Sequence, residues 1–392
     1  MSAIAAPSTA DFGLSDEQKD FVSALRDFAA RERFDVPGGD HHSEQAAQRM
    51  AELGWWGLNI DEEYGGAAGS FLDATLFLEE TTRGQVPIAA YGVTLIVVGA
   101  LNRFGTDEQK RDLLGRVAQG GVLAIAMSEP DSGSDVASLK CKARLEDGEW
   151  VLSGAKMWCS YAHKASHILI VCRTGEGLQG DPSGATPRRD KHEGLSMIFV
   201  PRDAAGLTVT PIKTMGGEET NELHLDDVRV PEDALLGGEG SGWIQLMAGL
   251  NKERVILAAQ ALGLGQRAFD DALAYVKERK QFGRPIGSFQ AQQHRFADLA
   301  TGLTQVRLLV RHVAQLTDED PARMLPKEAS MAKLAATELA KKCALEGMQS
   351  MGGYGYATEY PMEQYLRAAV VTTIFGGTSE IQKNIIAKTL GL

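Results

Sequence analysis

The sequence of 392 residues lacks the features that mark several classes of protein. Its four cysteines are scattered without a C-x-x-C pair, so neither a disulfide framework nor a thiolate zinc site is expected, and a reducing compartment suits them best. No apolar run approaches the roughly 18 residues that a membrane-spanning helix requires. No Lys or Arg precedes Lys19, which argues against a secretory or transit segment. We therefore expect a soluble, cytoplasmic protein.

Clustered positive charge is also missing. The chain has 52 Asp and Glu residues against 40 Lys and Arg residues, for a formal net charge of -12. Nonspecific binding to nucleic acid or to an anionic membrane needs clustered cations, so neither partner is expected. The histidines have no set of partner residues at metal-ligand spacing, and no metal site is predicted.

The chain does show two changes of periodicity. Apolar residues recur at helical spacing from Ser15 to about Val122, and Ser15 with Gln18 has the form of a capping box. Short runs rich in Val and Ile, separated by turn residues, then continue to about Gly238 and predict a small antiparallel β-barrel. Long helical patterns return from Ser241. The predicted α+β multidomain fold has a helical domain over 1–122, a β-barrel over 123–238 and a helical bundle over 239–392.

Two segments in the middle zone have the composition of a binding site. The loop from Met127 to Asp135 crowds hydroxyls, a Gly and a Pro after an apolar strand, and such a loop can bring hydrogen-bond donors to a polar ring or a phosphate. An ordinary turn explains it equally well. Trp158 stands close to the hydroxyl of Ser160, an arrangement that suits either a covered aromatic cofactor or a simple core position.

With these segments, the sequence resembles the acyl-CoA dehydrogenase family of flavoproteins. The matching motifs occur in family order and with family-like separations. They are Phe104-Gly105-Thr106 with Gln109-Lys110, Ser128-Glu129-Pro130 with Gly133-Ser134-Asp135, Gly154 to Trp158, Glu278 to Gly283 with Gln290, Gln349 to Gly355, and Gly377 to Gln382.

The resemblance implies both an architecture and an activity. The architecture is an N-terminal helical domain, a middle β-domain and a C-terminal four-helix bundle, assembled as a homotetramer with FAD between the β-domain and the bundle. The activity is α,β-dehydrogenation of an acyl-CoA thioester, as in fatty acid β-oxidation, with an electron-transfer flavoprotein reoxidising the flavin.

The resemblance also assigns residues to the cofactor and the substrate. Around the flavin ring it places Met127, Ser128, Trp158 and Ser160, with Ser134 near both the flavin and the CoA arm. Residues that would reach the FAD of a neighbouring subunit are Arg279, Phe282, Gln290, Gln349 and Gly353, and those near the adenosine half are Thr378 and Glu380. Substrate contacts would come from Ser134, Arg254, Phe375 and Gly376. Without the resemblance, Arg279 would be interpreted as a solvated charge and Arg254 as a salt-bridge partner.

The base that removes the α-proton is where this chain departs from most of the family. Most members carry a Glu in a Tyr-Glu-Gly-Thr segment, where this chain reads Phe375-Gly376-Gly377-Thr378. The isovaleryl- and long-chain-type members carry it on a helix, just before an Arg, as Glu253 stands here. Leu250 and Leu257 place Glu253 on the apolar face of that helix, so burial should raise its pKa toward the range a base needs. The alternative is a structural carboxylate paired with a nearby cation.

Two other functions remain open from the sequence. An acyl-CoA oxidase would keep the fold and pass electrons to oxygen. A non-catalytic FAD-binding subunit of a hetero-oligomeric dehydrogenase is suggested by the missing Glu at position 376 and opposed by Glu253.

Overall fold

The computed structural model describes residues 12–34, 41–174 and 191–392. The described residues form two compact units, a helical unit that contains 12–34, 70–86 and 251–392 and a sheet unit that contains 41–69, 87–174 and 191–250. In chain order, the helices are α1 (Asp16–Arg31), α2 (Glu44–Glu52), α3 (Phe71–Arg83), α4 (Ala90–Phe104), α5 (Asp107–Gln109), α6 (Gly115–Ala118), α7 (Gly242–Glu278), α8 (Gln290–Glu319), α9 (Pro326–Met351), α10 (Gly353–Tyr356), α11 (Met362–Thr372) and α12 (Ser379–Thr389). The strands are β1 (Leu123–Ala126), β2 (Lys142–Glu146), β3 (Glu149–Ser160), β4 (His167–Arg173), β5 (Leu195–Pro201), β6 (Leu207–Thr214), β7 (Gly217–Pro231), β8 (Lys280–Gln281) and β9 (Arg284–Pro285).

Local capping sets several helix boundaries in the helical unit. The predicted capping box at α1 is confirmed, because the Gln18 backbone N–H donates to Ser15 Oγ and the Ser15 backbone N–H donates to Gln18 Oε1. Pro326 opens α9, where a missing N–H leaves no helical hydrogen bond unmade. The same helix ends before Gly352, whose φ of 62° is one that glycine adopts easily.

The helical unit is organised around α9. Helices α8, α11 and α12 all pack against it, and α3 packs against both α1 and α8. A buried ion pair joins two of these helices, because Arg307 Nε on α8 lies 2.7 Å from Glu79 Oε1 on α3. The predicted helical character of the C-terminal region is confirmed, while the number of helices in its bundle stays a prediction.

The sheet unit is built on a seven-stranded sheet with the order β1-β4-β2-β3-β7-β6, in which β5 also pairs with β4. The predicted middle β-domain is confirmed as a curled half-barrel. The prediction of wholly antiparallel pairing is wrong for two strand pairs, because β1 and β4 run parallel from Leu123↔His167 to Ala126↔Ile170 and β2 also pairs with β4 in parallel, at Lys142↔Arg173. Apolar patterning along one strand shows which face is buried but not the direction of its partner.

Strands β4 and β5 lie in the core of the sheet unit, since almost every residue in them is buried. Strand β7 alternates buried and exposed residues instead, as expected for a sheet with one covered face. Within the described ranges, no helix has both the length and the apolarity needed to cross a membrane. The domain boundaries at 122/123 and 238/239 stay predictions.

Candidate active site

Glu253 is a buried carboxylate on α7, with only 5% of its surface exposed. Burial raises its pKa to about 7, against the opposing charges of Arg254 and Lys333. In the part of the chain that the structure describes, the carboxylate forms no ion pair and accepts no hydrogen bond. The predicted burial of Glu253 is therefore confirmed, and the ion-paired structural carboxylate considered as its alternative is not formed among these residues.

The chain turns beside Glu253 at Gly376 and Gly377. Both residues have left-handed backbones, with φ of 59° and 82°, which glycine adopts without strain. A Cβ atom placed on Gly376 would lie 3.6 Å from Glu253 Oε1 and would overlap Leu257 Cδ1. Position 376, where the resemblance predicts a Glu in most members, therefore borders the carboxylate that this chain carries on α7.

Two buried polar side chains hold this turn: Lys333, which no motif in the sequence indicated, and Gln382, which ends the last matching motif but was given no role there. Lys333 Nζ on α9 donates to the Gly377 carbonyl at 2.8 Å. Gln382 Nε2 on α12 donates to the carbonyls of Gly376 and Gly377 at 2.9 and 3.0 Å. Burial lowers the pKa of Lys333 to about 8. Helical spacing offered a signal for Lys333, because Ala329, four residues earlier, lies on the buried face of α9.

The neighbouring predicted residues differ in exposure. Arg254 is 8% exposed, burial lowers its pKa, and its Nε has no hydrogen-bond partner among the described residues. Phe375 is 40% exposed. Thr378 caps α12 by accepting a hydrogen bond from the Ile381 backbone N–H at 3.3 Å, and Glu380 lies exposed in the first turn of the same helix.

In the sheet unit, the predicted flavin residues meet where β1 ends beside β3. The Met157 backbone N–H donates to the Ser128 carbonyl at 2.9 Å, which joins the loop after β1 to the strand. Trp158 follows at a bulge of β3, with φ of 63°, and the residue is 56% exposed. Bulges redirect side chains, and this one turns the indole outward. Ser160 ends the strand partly exposed, whereas Ser134 lies exposed farther along the loop.

A cleft of about 470 Å³ in the helical unit brings together three more predicted residues. Arg279, Gln349 and Gly353 line it, and the Arg279 guanidinium lies 5.3 Å from the centre of the Tyr354 ring. Two other predicted residues, Phe282 and Gln290, are exposed and do not line this cleft. Phe282 forms the turn between β8 and β9 with 93% of its surface exposed.

Comparison with known families covers nearly the whole chain. Residues 15–121, 124–228 and 240–391 match the models of the acyl-CoA dehydrogenase N-terminal, middle and C-terminal domains. The chain belongs to the acyl-CoA dehydrogenase family. Relatives of this chain include YngJ of Bacillus subtilis, named as a probable acyl-CoA dehydrogenase, which is 37% identical over 97% of this chain and 99% of its own length. The short-chain specific acyl-CoA dehydrogenase of Bos taurus mitochondria is 36% identical over 92% of this chain and 87% of its own.

Solved structures of family members share the fold of this chain. An acyl-CoA dehydrogenase from Geobacillus kaustophilus superposes with a TM-score of 0.87 at 31% identity, covering 97% of this chain and 100% of the other. A glutaryl-CoA dehydrogenase from Mycobacterium smegmatis, solved in complex with FADH2, gives 0.83 at 26% identity, covering 96% and 95%. A structure titled as an electron transferring flavoprotein of Acidaminococcus fermentans gives 0.85 at 30% identity, covering 97% and 99%.

The acyl-CoA dehydrogenase family is flavin-dependent, and the side chains described above have the chemistry that a flavin needs. Trp158 offers an exposed aromatic side chain, and Ser128 and Ser160, which each carry a hydroxyl, are half-buried residues. Arg279 offers a planar guanidinium that suits a pyrophosphate. Among the described residues, no group of three His, Cys, Asp or Glu side chains is placed to hold a metal ion.

Proposed function

We propose that this chain is an FAD-dependent acyl-CoA dehydrogenase that forms trans-2-enoyl-CoA, with Glu253 as the base that removes the α-proton. The observation that carries the proposal is the state of Glu253. It is buried, forms no ion pair among the described residues and has a pKa raised to about 7. A carboxylate with such a pKa can accept a proton near neutral pH, and Gly376 offers no competing acid.

Each residue near Glu253 has a proposed task in this reaction. Glu253 takes up the α-proton on a carboxylate oxygen and becomes the neutral acid that its buried position favours. When bound, FAD supplies the acceptor for the hydride that leaves the β-carbon. Arg254, with its unpartnered Nε, binds an anionic part of the CoA thioester, and Phe375 and Gly376 border the acyl chain.

The remaining predicted residues are proposed to bind FAD. The sheet unit would hold the flavin ring through Met127, Ser128, Trp158 and Ser160, with Ser134 near the ring and the CoA arm. A second copy of the chain would contribute Arg279, Phe282, Gln290, Gln349 and Gly353, while Thr378 and Glu380 would lie near the adenosine half. The exposure of Phe282 supports this view, because an apolar ring that is 93% exposed gains from being covered by another molecule.

Assembly and electron transfer complete the proposal. A homotetramer would let each copy reach the FAD of its neighbour. An electron-transfer flavoprotein is proposed as the acceptor, as the family resemblance implies.

An anaerobic titration tests the proposed base. Acyl-CoA substrates of different length and branching are added to the FAD-loaded protein, and the flavin absorbance is followed. A substrate that bleaches the wild-type flavin should leave Glu253→Gln unbleached although FAD stays bound. Glu319→Gln, which changes an exposed acid of the same helical unit, should bleach like wild type. Unchanged bleaching in Glu253→Gln would refute the assignment.

The anaerobic titration, together with a second one of the same substrates in air, separates the two rival functions. Stoichiometric release of hydrogen peroxide in air would identify an acyl-CoA oxidase. An FAD-loaded chain that is bleached by no member of the panel would support the non-catalytic subunit. Rapid bleaching with slow reaction toward oxygen is the result expected of a dehydrogenase.

A further inference from the structure

A buried ion pair lies directly behind the loop that carries Met127 and Ser128. Lys156 Nζ on β3 lies 2.9 Å from Glu129 Oε1, and the two side chains are only 0% and 7% exposed. This pair belongs wholly to the sheet unit. Neither residue has a role in the proposed proton transfer.

Each partner of the pair also binds backbone of the loop. Glu129 Oε2 accepts from the Lys140 backbone N–H at 2.6 Å, and Glu129 Oε1 accepts from the Cys141 backbone N–H at 2.8 Å. Lys156 Nζ donates to the Met127 carbonyl at 3.0 Å. The ion pair therefore fixes both the beginning of the loop at Met127 and its far end at Cys141.

The strand on the other side of the pair carries Trp158. The Met157 backbone N–H, one residue after Lys156, donates to the Ser128 carbonyl at 2.9 Å. The next residue is Trp158 in its left-handed conformation at the bulge. A non-glycine residue in that conformation persists only where its surroundings hold it, and the bonds of Lys156 and Met157 to the loop do so here.

Stability alone is a weak reason for such a pair. Removing two charges from water is costly, so well-packed apolar side chains of similar volume often stabilise a fold as well as a buried ion pair does. What the pair adds is orientation, because the two charged groups hold each other in place while they bind three backbone groups of the loop. Those bonds end on the backbone of the residues that we assign to the flavin ring.

We infer that Glu129 and Lys156 are positioning residues for the flavin, which hold Met127, Ser128 and Trp158 in the geometry that binds the ring. The inference rests on the proposed function, because it takes those three residues as the flavin contacts. It assigns the ion pair to cofactor binding rather than to the fold alone.

The test compares FAD binding with stability in four variants of the full chain. Lys156→Met and Glu129→Gln each break the pair, and the double variant removes both charges. Lys140→Met is the matched control, because it breaks an exposed ion pair on the same loop, in which Lys140 Nζ lies 3.0 Å from Asp131 Oδ2. FAD is titrated into each protein after the cofactor has been removed, flavin circular dichroism is recorded, and the melting temperature of the protein is measured.

We expect each single variant to bind FAD about tenfold more weakly than wild type or worse, with an altered flavin dichroism. The double variant should regain part of the melting temperature, because it leaves no unpaired buried charge, but not the FAD affinity. Lys140→Met should match wild type in all three measurements. Glu129→Gln keeps an oxygen acceptor for the loop N–H groups, so it serves as the informative variant if Lys156→Met does not fold.

Wild-type FAD affinity and dichroism in the pair variants would overturn the inference, whatever their melting temperatures. Recovery of affinity together with stability in the double variant would do the same. Neither outcome touches the proposed base, which is tested by Glu253→Gln. A wild-type chain that binds no FAD would instead remove the proposed function, and this inference with it.

Discussion

Glu253 and Gly376 border the same small space, since a Cβ atom on Gly376 would lie 3.6 Å from Glu253 Oε1. The two positions lie far apart in the sequence. A side chain at either one, on the helix at 253 or in the turn at 376, would reach this space. Two carboxylates there would repel each other, and the ionisation of one would raise the pKa of the other. The chain carries an acid at only one of them.

Gly376→Glu should therefore harm the enzyme in two separable ways. The left-handed backbone at 376, with φ of 59°, makes any side chain unfavourable by about 1–2 kcal/mol, and a Cβ there would also overlap Leu257 Cδ1, so both Gly376→Ala and Gly376→Glu should lower the melting temperature. Only the added carboxylate of Gly376→Glu should raise the pH at which the rate of flavin reduction increases, because it raises the pKa of Glu253. Thermal melts and a pH profile of reduction distinguish the effects, and identical pH profiles for the Ala and Glu variants would contradict the shared space.

The raised pKa of Glu253 predicts a stability cost that depends on pH. Its pKa is about 7 in the folded chain against an ordinary value of 4.5. Because the folded value is the higher one, its contribution to stability is fully present below pH 4.5 and is lost as pH rises through 7. At pH 8 the buried carboxylate should lower the free energy of unfolding by up to about 3 kcal/mol.

Glu253→Gln should remove this dependence. The melting temperature of the variant minus that of wild type should rise between pH 4.5 and 7 and stay level outside that range. The comparison across pH cancels any constant effect of the buried amide. A difference that is flat from pH 4 to pH 8 would show that Glu253 has an ordinary pKa.

Lys333 should influence the base through its charge. Its positive charge favours the ionised form of Glu253, so Lys333→Met should raise the pKa of Glu253 further. The rate of flavin reduction should then increase only at a higher pH than in wild type. Lys341→Met is the control, because Lys341 lies on the same helix but forms an ion pair with Glu338 instead. The Lys341 side chain is 31% exposed. A profile unchanged from wild type would mean that Lys333 serves only the Gly377 turn.

Helix ends and buried helix faces could be predicted from the sequence because they depend on residues only a few positions apart. The capping box of Ser15 and Gln18 depends on residues three apart, and the end of α9 depends on one glycine. The burial of Glu253 followed from its spacing to Leu257 on one helix face.

The missed features depend on partners far apart in the chain. Lys333 and Gly377 are 44 residues apart, and β1 meets β4 across a similar gap. The left-handed backbone of Trp158 arises where β3 slips its register against β7, which no motif in β3 itself signals. Sequence motifs could place residues in the site, but they could not reveal the side chains that hold those residues in position.

Arg279 was predicted from a sequence motif to bind the cofactor, and in the structure it lines the cleft of the helical unit. Its substitution therefore tests whether that cleft binds FAD. Its guanidinium lies 5.3 Å from the centre of the Tyr354 ring, so a cation–π contact with Tyr354 helps to hold the guanidinium in the cleft, where it could bind a pyrophosphate. Arg279→Lys keeps the charge but loses the planar, bidentate group, and we expect FAD affinity to fall about tenfold with little change in melting temperature. Lys277→Met, which removes a neighbouring exposed charge, should bind FAD like wild type. Both variants are measured by titrating FAD into the cofactor-free protein, and an Arg279→Lys affinity equal to that of wild type would show that the cleft binds no part of the cofactor that needs a guanidinium.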